Sequence, residues 1–192
     1  MASRVAVVIC ATSFLLGVLC THWTADALTR WKPPSARADA HFWTAAAYYR
    51  TLAHAPPVAA LVLGGAATLG VASVCVGLFK GDATDLMFDG ASTLLYAVAI
   101  GVYALHVFPT LFTHFYAFPV TPPDPSNPFP SFHKPEILKL ADAHLICSVV
   151  LTGVLVLQAA RWWSLSDDED GPVMGPASEA DGARPAKEEK SS

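Results

Sequence analysis

Apolar residues fall along this chain in four long blocks, each separated from the next by a stretch rich in polar residues or proline. A helix that crosses about 30 Å of hydrocarbon at 1.5 Å per residue needs roughly 20 mainly apolar residues. The first block runs from Val5 to about Trp23, and the second, Val58 to Phe79, carries no charge. The third, Leu86 to Phe108, contains only Asp89, and the fourth runs from about Ala143 to Trp163. Gln158 and Arg161 lie near the exit of the fourth, and Trp162-Trp163 sit where an interfacial aromatic belt belongs. The pattern predicts an all-α integral membrane protein with four transmembrane helices in residues 1–163. Arg4, a short apolar core and the small residues of "TADA" also describe a secretory signal peptide. Trp23, at the position of an interfacial anchor, favours a retained span.

Between the blocks, "KGDATD" (80–85) is short enough to force the second and third helices into an antiparallel hairpin. The stretch "HFWTAAAYYRTLAHAPP" (41–57) is too short and too polar to span. Phe42, Ala46, Tyr49 and Ala53 recur at helical spacing, with Ala45 and Leu52 beside them, while Thr44, Thr51 and His54 point elsewhere. That spacing predicts an amphipathic helix lying in the membrane interface, capped near Asp39 and ended by Pro56-Pro57. Residues 108–136 hold so many prolines that no regular helix is expected there. The segment 164–192 reads as a disordered tail.

Composition agrees with the pattern: of 192 residues, 53% are hydrophobic and 15% charged, against about a quarter charged in soluble domains. The net charge of -4 conceals an asymmetry, because from Ser164 onward eight acids face three bases. An acidic tail on an apolar body argues against nucleic-acid binding. Cys10, Cys20, Cys75 and Cys147 all stand in apolar stretches, where a thiol behaves as a small hydrophobe. Counting bases near span ends places the termini outside, whereas Arg4 at the head of the first span argues the reverse, so charge leaves the orientation open.

Helices in lipid associate through close approach of small residues more than through apolar burial. Ala66, Gly70, Ser73 and Gly77 share one face of the second span, and Cys10, Ser13, Gly17 and Cys20 one face of the first. Gly90, Ala97, Gly101 and Ala104 line the third, with Ser148 and Thr152 one turn apart on the fourth. These faces either hold the four helices together or present a surface to another protein's helices. All seven histidines fall on the side opposite the termini, and only His106 and His144 are placed to face each other as haem ligands. Asp89, one turn into its span, is placed where water and helix-terminal amides can satisfy it, too isolated for a transport path. A small haem-binding or transport protein is therefore the alternative reading. The chain shows no phosphate loop, zinc-type cysteine spacing or embedded catalytic pair, so neither enzymatic activity nor a cofactor is expected.

The spacing His41-Phe42, Tyr49, Thr51-Leu52 and Pro56 resembles the first-loop signature of the fungal Shr-family membrane chaperones. "TSFLLGV" (12–18), "DLMFDGASTLLYAVAIGVY" (85–103) and "LTGVLVLQAARWWS" (151–164) resemble the same family in the same order, covering about residues 8–164. The resemblance implies a four-span endoplasmic-reticulum protein with cytosolic termini and the interfacial helix in its first lumenal loop. It implies a non-enzymatic chaperone that shields the spans of new amino-acid permeases and aids their packaging into COPII vesicles. Permeases, COPII components and the bilayer are then the expected partners. The acidic tail, with Lys190 lacking a second lysine beside it, departs from the family's lysine-rich tail.

Overall fold

The computed structural model describes residues 2–79, 83–119 and 128–169. Helix α1 covers Ala2–Thr29, a 3-10 turn follows at Pro34–Ala36, and α2 covers Asp39–Ala53. Helix α3 is Pro57–Leu78. Helix α4 begins over Ala83–Val102, widens to π geometry over Tyr103–Val107, returns to α for Phe108–Thr110 and widens again over Leu111–Phe115. Helix α5 is Lys134–Glu169. Four stretches are long and apolar enough to cross a membrane: Ser3–Thr29, Pro57–Leu78, Leu86–Phe115 and Lys134–Ser164. Side chains as large as Leu61, Phe79 and Leu105 are 74 to 89% exposed, a surface that hydrocarbon tolerates and water does not.

The four spans form a ring in which α1 packs against α3 and α5, and α4 packs against the same two. The core at mid-membrane joins Val8, Leu19, Val74, Tyr96, Cys147 and Leu151. At the end opposite the termini, α2 lies across the bundle, with Phe42, Ala45, Ala46, Tyr49 and Ala53 buried as the apolar stripe requires. Its buried face meets protein: Phe42 stacks on Phe129 at 5.7 Å, and Tyr49 packs against Phe115 at 5.5 Å.

Five local expectations are corrected. The third span does not stop at Phe108, and residues 108–115 are helical despite their proline. Pro109 removes one backbone donor and crowds the carbonyl four residues earlier; π turns on both sides widen the helix around it instead of ending it. Asp39 is the first helical residue and not a side-chain cap: its carboxylate accepts from the Phe129 amide at 3.0 Å and from Lys134 at 2.7 Å. The last helix begins at Lys134, well before Ala143, with Pro135 tolerated in its first turn, where the missing N–H has no partner to lose. Asp89 is not satisfied at a solvated helix end; it is buried and paired with Arg161 and Arg4. Between α2 and α3 the break falls as proline chemistry demands: Pro56 is extended, φ -60° and ψ 146°, and Pro57 takes the first helical position. Residues 80–82 of "KGDATD" lie outside the described residues, as do residues 170–192 of the tail; residues 164–169, expected to open a disordered tail, continue the last helix instead.

Candidate functional site

Two buried polar clusters pin three of the four spans together. Nearer the termini, Asp89 of α4 is 1% exposed and pairs with Arg161 of α5 at 2.6 Å and Arg4 of α1 at 3.1 Å. Gln158 donates to the Ser92 hydroxyl at 3.0 Å and reaches the same carboxylate at 3.5 Å. The acid that looked isolated along the chain is the hub of the bundle at this end. Nearer α2, Asp26 of α1 accepts from the Tyr49 hydroxyl and pairs with His144 of α5 at 3.0 Å. His22 lies against His144, ring centroids 4.5 Å apart, and shares a 2.5 Å hydrogen bond with the Tyr48 hydroxyl. Burial, with Asp26 beside it, pushes the Tyr49 phenol far above its ordinary value, so it stays a donor. His106 is exposed and does not face His144, so the pairing that a haem would need is not formed. Among the described residues, no cluster of three or more His, Cys, Asp or Glu could hold a metal.

Helix α3 supplies no member of either cluster. It is the least buried span, at 11% of its window against 22 to 39% for the others. Its buried residues, Gly70, Val74 and Gly77, recur at i, i+4, i+7 and all lie in its second half. A Cβ on Gly70 would strike the Tyr96 hydroxyl and come within 2.8 Å of the ring, and one on Gly77 would run into Asp89 and reach Arg4 at 2.5 Å. These two glycines let α3 approach α4 and α1 closely. Toward its first half α3 draws away, leaving a lateral apolar groove of about 440 Å³ against α1 and α4.

The residues singled out from the pattern thus separate into different environments. Gly70 and Gly77 are buried in the seam, while Ala66 and Ser73 are half-buried beside it. Ser13, Gly17 and Ala97 are exposed, Gly101 is half-buried, and a Cβ on Gly17 or Gly101 would meet nothing within 4 Å. Two stripes on α3 were not picked out: Ala60, Gly64 and Ala67 line the groove, and Gly65, Thr68 and Ala72 are exposed on the outer face. A Cβ on Gly64 or Gly65 would touch nothing within 4 Å. In sequence they have the same composition as the seam, but Gly65, Thr68 and Ala72 stand on the far side of the helix from Gly70, and Ala60, Gly64 and Ala67 lie in the half of α3 that makes no buried contact.

The first-loop signature also resolves into roles. Phe42 and Tyr49 are buried contacts of α2, Leu52 packs beside that core, and Pro56 caps α3 and borders the groove. His41 lies 3.1 Å from the Lys32 ammonium, and the exposed Thr51 donates to the Ala47 carbonyl. Lys134, then the Phe129 amide, hold the Asp39 carboxyl below its ordinary value. Burial, then His114, lower the His133 imidazole. Asp26 is the residue the pattern missed; an acid inside an apolar run, flanked by "HWTA" and "ALT", was its only signal.

A helical bundle with paired buried charges, one loosely seated span and an amphipathic helix across one end belongs to the class of polytopic membrane proteins. The whole chain, residues 1–192, matches the SHR3 chaperone family model, described as ER membrane protein SH3, and the chain belongs to that family of endoplasmic-reticulum membrane chaperones. Nothing among curated proteins or solved structures matches it.

Proposed function

We propose that this protein shields newly made amino-acid permeases in the endoplasmic-reticulum membrane, assists their folding and promotes their packaging into COPII vesicles. The observation that supports this most is α3: only 11% of its apolar window is buried, and it presents Gly65, Thr68 and Ala72 outward. In lipid, such small residues admit another helix to close van der Waals contact, at energies modest enough for release. The other spans are tied by Asp89 and Asp26, so a client meets a fixed platform with one loosely seated helix. Ser13, Gly17, Ala97 and Gly101 extend this small-residue surface on α1 and α4. Residues 1–163 act as the membrane unit, with both termini in the cytosol and α2 on the lumenal side. No covalent chemistry or cofactor takes part.

Deleting the gene and following permeases to the plasma membrane tests the reading. Selective retention of permeases in the endoplasmic reticulum is the expected result, and normal delivery overturns it. An epitope on the tail should be reached by antibody once only the plasma membrane is permeabilised; protection there reverses the orientation.

A further inference from the structure

Helix α3 is anchored in one half only. Its buried residues begin at Gly70, and from Pro57 to Leu69 none is buried. The unanchored half walls the groove: of the α3 residues that line it, Ala59, Ala60, Leu63 and Gly64 precede Gly65, and Ala67 alone follows. Where the two halves join, the helix is weakened in two ways. Gly64 and Gly65 are adjacent, and a Cβ on either would meet nothing within 4 Å, so no close approach inside the bundle requires them. Glycine is the residue with most conformational freedom, and sharp helix bends fall at such small-residue pairs. The Thr68 hydroxyl donates to the Gly64 carbonyl at 2.7 Å, the same carbonyl toward which the helix directs the Thr68 amide. Back-bonding of this kind loosens and bends helices. The start of α3 can follow a bend, because Pro57 has no amide to lose and Pro56 is already extended.

We propose that residues 57–63 form a lateral gate, which swings about the Gly64–Thr68 turn and sets the width of the groove. Val58 lies six residues before Gly64, about 9 Å at 1.5 Å per residue, so a bend of about 20–30° displaces it by about 3–5 Å. That swing separates no charged pair. Residues 57–63 are Pro, Val, Ala and Leu alone, and the Asp89 and Asp26 clusters draw their members from other helices. Segments with few buried contacts open at small free-energy cost, whereas the second half of α3 is held by Gly70, Val74 and Gly77. The short link to α2 bounds the motion, since Ala53 is buried in the docked face of that helix. With the gate closed, Ala59, Ala60 and Leu63 approach α1 and α4; with it open, the apolar lining of α1 and α4 faces the bilayer. The gate is a property of the protein by itself and needs no client, so it stands or falls apart from the role of α3 in client contact.

The test uses the full-length protein in phosphatidylcholine nanodiscs, without client, and spin labels carried on a bioorthogonal amino acid so that the native cysteines stay in place. Helices α3 and α5 lie across the ring from each other, each packed against α1 and α4, so label pairs between them report lateral motion of α3. One pair joins Val58, on the gate, to Ile146; the control pair joins Val76, beyond the hinge, to Val156, and all four positions are exposed. Double electron–electron resonance should give a Val58–Ile146 distance distribution broader than the control by about 3–5 Å, the swing expected at that position. Gly64→Ala combined with Gly65→Ala, which places two methyl groups in open space, should narrow it to the control width. Thr68→Val, which keeps the shape and deletes the hydroxyl, should narrow it in part. A gate pair as narrow as the control overturns the proposal, and so does a broad distribution that the two alanines leave unchanged. Should the double variant fail to fold, Thr68→Val decides in its place: narrowing sustains the hinge, and an unchanged distribution rejects it.

Discussion

Removing the Asp89 carboxylate is the sharpest perturbation available to this bundle. Asp89 and Arg161 are each 1% exposed in their side chains and Arg4 is 13% exposed, so the three charges meet in a site nearly closed to solvent. Breaking a buried ion pair by deleting one partner typically costs about 3–5 kcal/mol, because a charge stays buried without compensation. Asp89→Ala leaves two guanidinium groups facing each other and belongs at the top of that range. Arg161→Met should cost less, since Arg4 at 3.1 Å still neutralises the carboxylate. Arg4→Met should cost least, because water reaches that side chain most easily. Replacing all three with apolar residues, Asp89→Leu, Arg4→Met and Arg161→Met, should recover most of the loss, as for other buried ionic networks. The assay is thermal unfolding of the purified protein in nanodiscs, read by the loss of monodisperse protein on size exclusion. An Asp89→Ala protein as stable as the parent refutes the network account. So does a triple variant no better than the single one, since the cost would then come from packing and not charge.

Further outcomes follow from the glycine seam, the Asp26 cluster and the α2 end. Gly70→Ala should cost about 1–3 kcal/mol by forcing Tyr96 from its 2.5 Å hydrogen bond with Thr12, while Gly65→Ala, with open space at its Cβ, should leave thermal stability unchanged. Tyr49→Phe keeps the packing and deprives Asp26 of a donor, so a loss of about 1–3 kcal/mol is expected from the same melts. Burial lowers the His133 imidazole in the folded protein, so unfolded chains take up protons first. Its contribution is complete above the ordinary value of 6.5 and is lost as pH falls from there through the lower folded value; His133→Phe should flatten melting temperature against pH in that window.

Much of the architecture could be read from periodicity, because hydrocarbon imposes length and composition on each span. The apolar stripe of α2 also follows from spacing alone: Phe42, Ala46, Tyr49 and Ala53 are all buried. What stayed hidden depends on residues far apart in the chain. Asp26 meets Tyr49 23 residues later and His144 118 residues later, and Asp89 meets Arg161 72 residues later. Local rules were also overridden by context: Pro109 sits inside a helix because π turns absorb its ring, and Asp39 gives up capping for the stronger attraction of Lys134. Small residues carry no label for their use. Gly64 and Gly70 belong to the same span, yet one borders an open groove and the other touches Tyr96, a difference set by where each lies along and around α3.

The role assigned to α3 is tested most directly by placing a photoreactive amino acid, one at a time, at Gly65, Thr68 and Ala72, and at Val149 and Val156 on the exposed face of α5. Each variant is irradiated in cells making a tagged permease. Crosslinks to newly made permease should form from the α3 positions and fade as the permease leaves the endoplasmic reticulum, with little from α5. Equal crosslinking from both helices, or crosslinks from α5 alone, would contradict the claim that α3 is where clients bind.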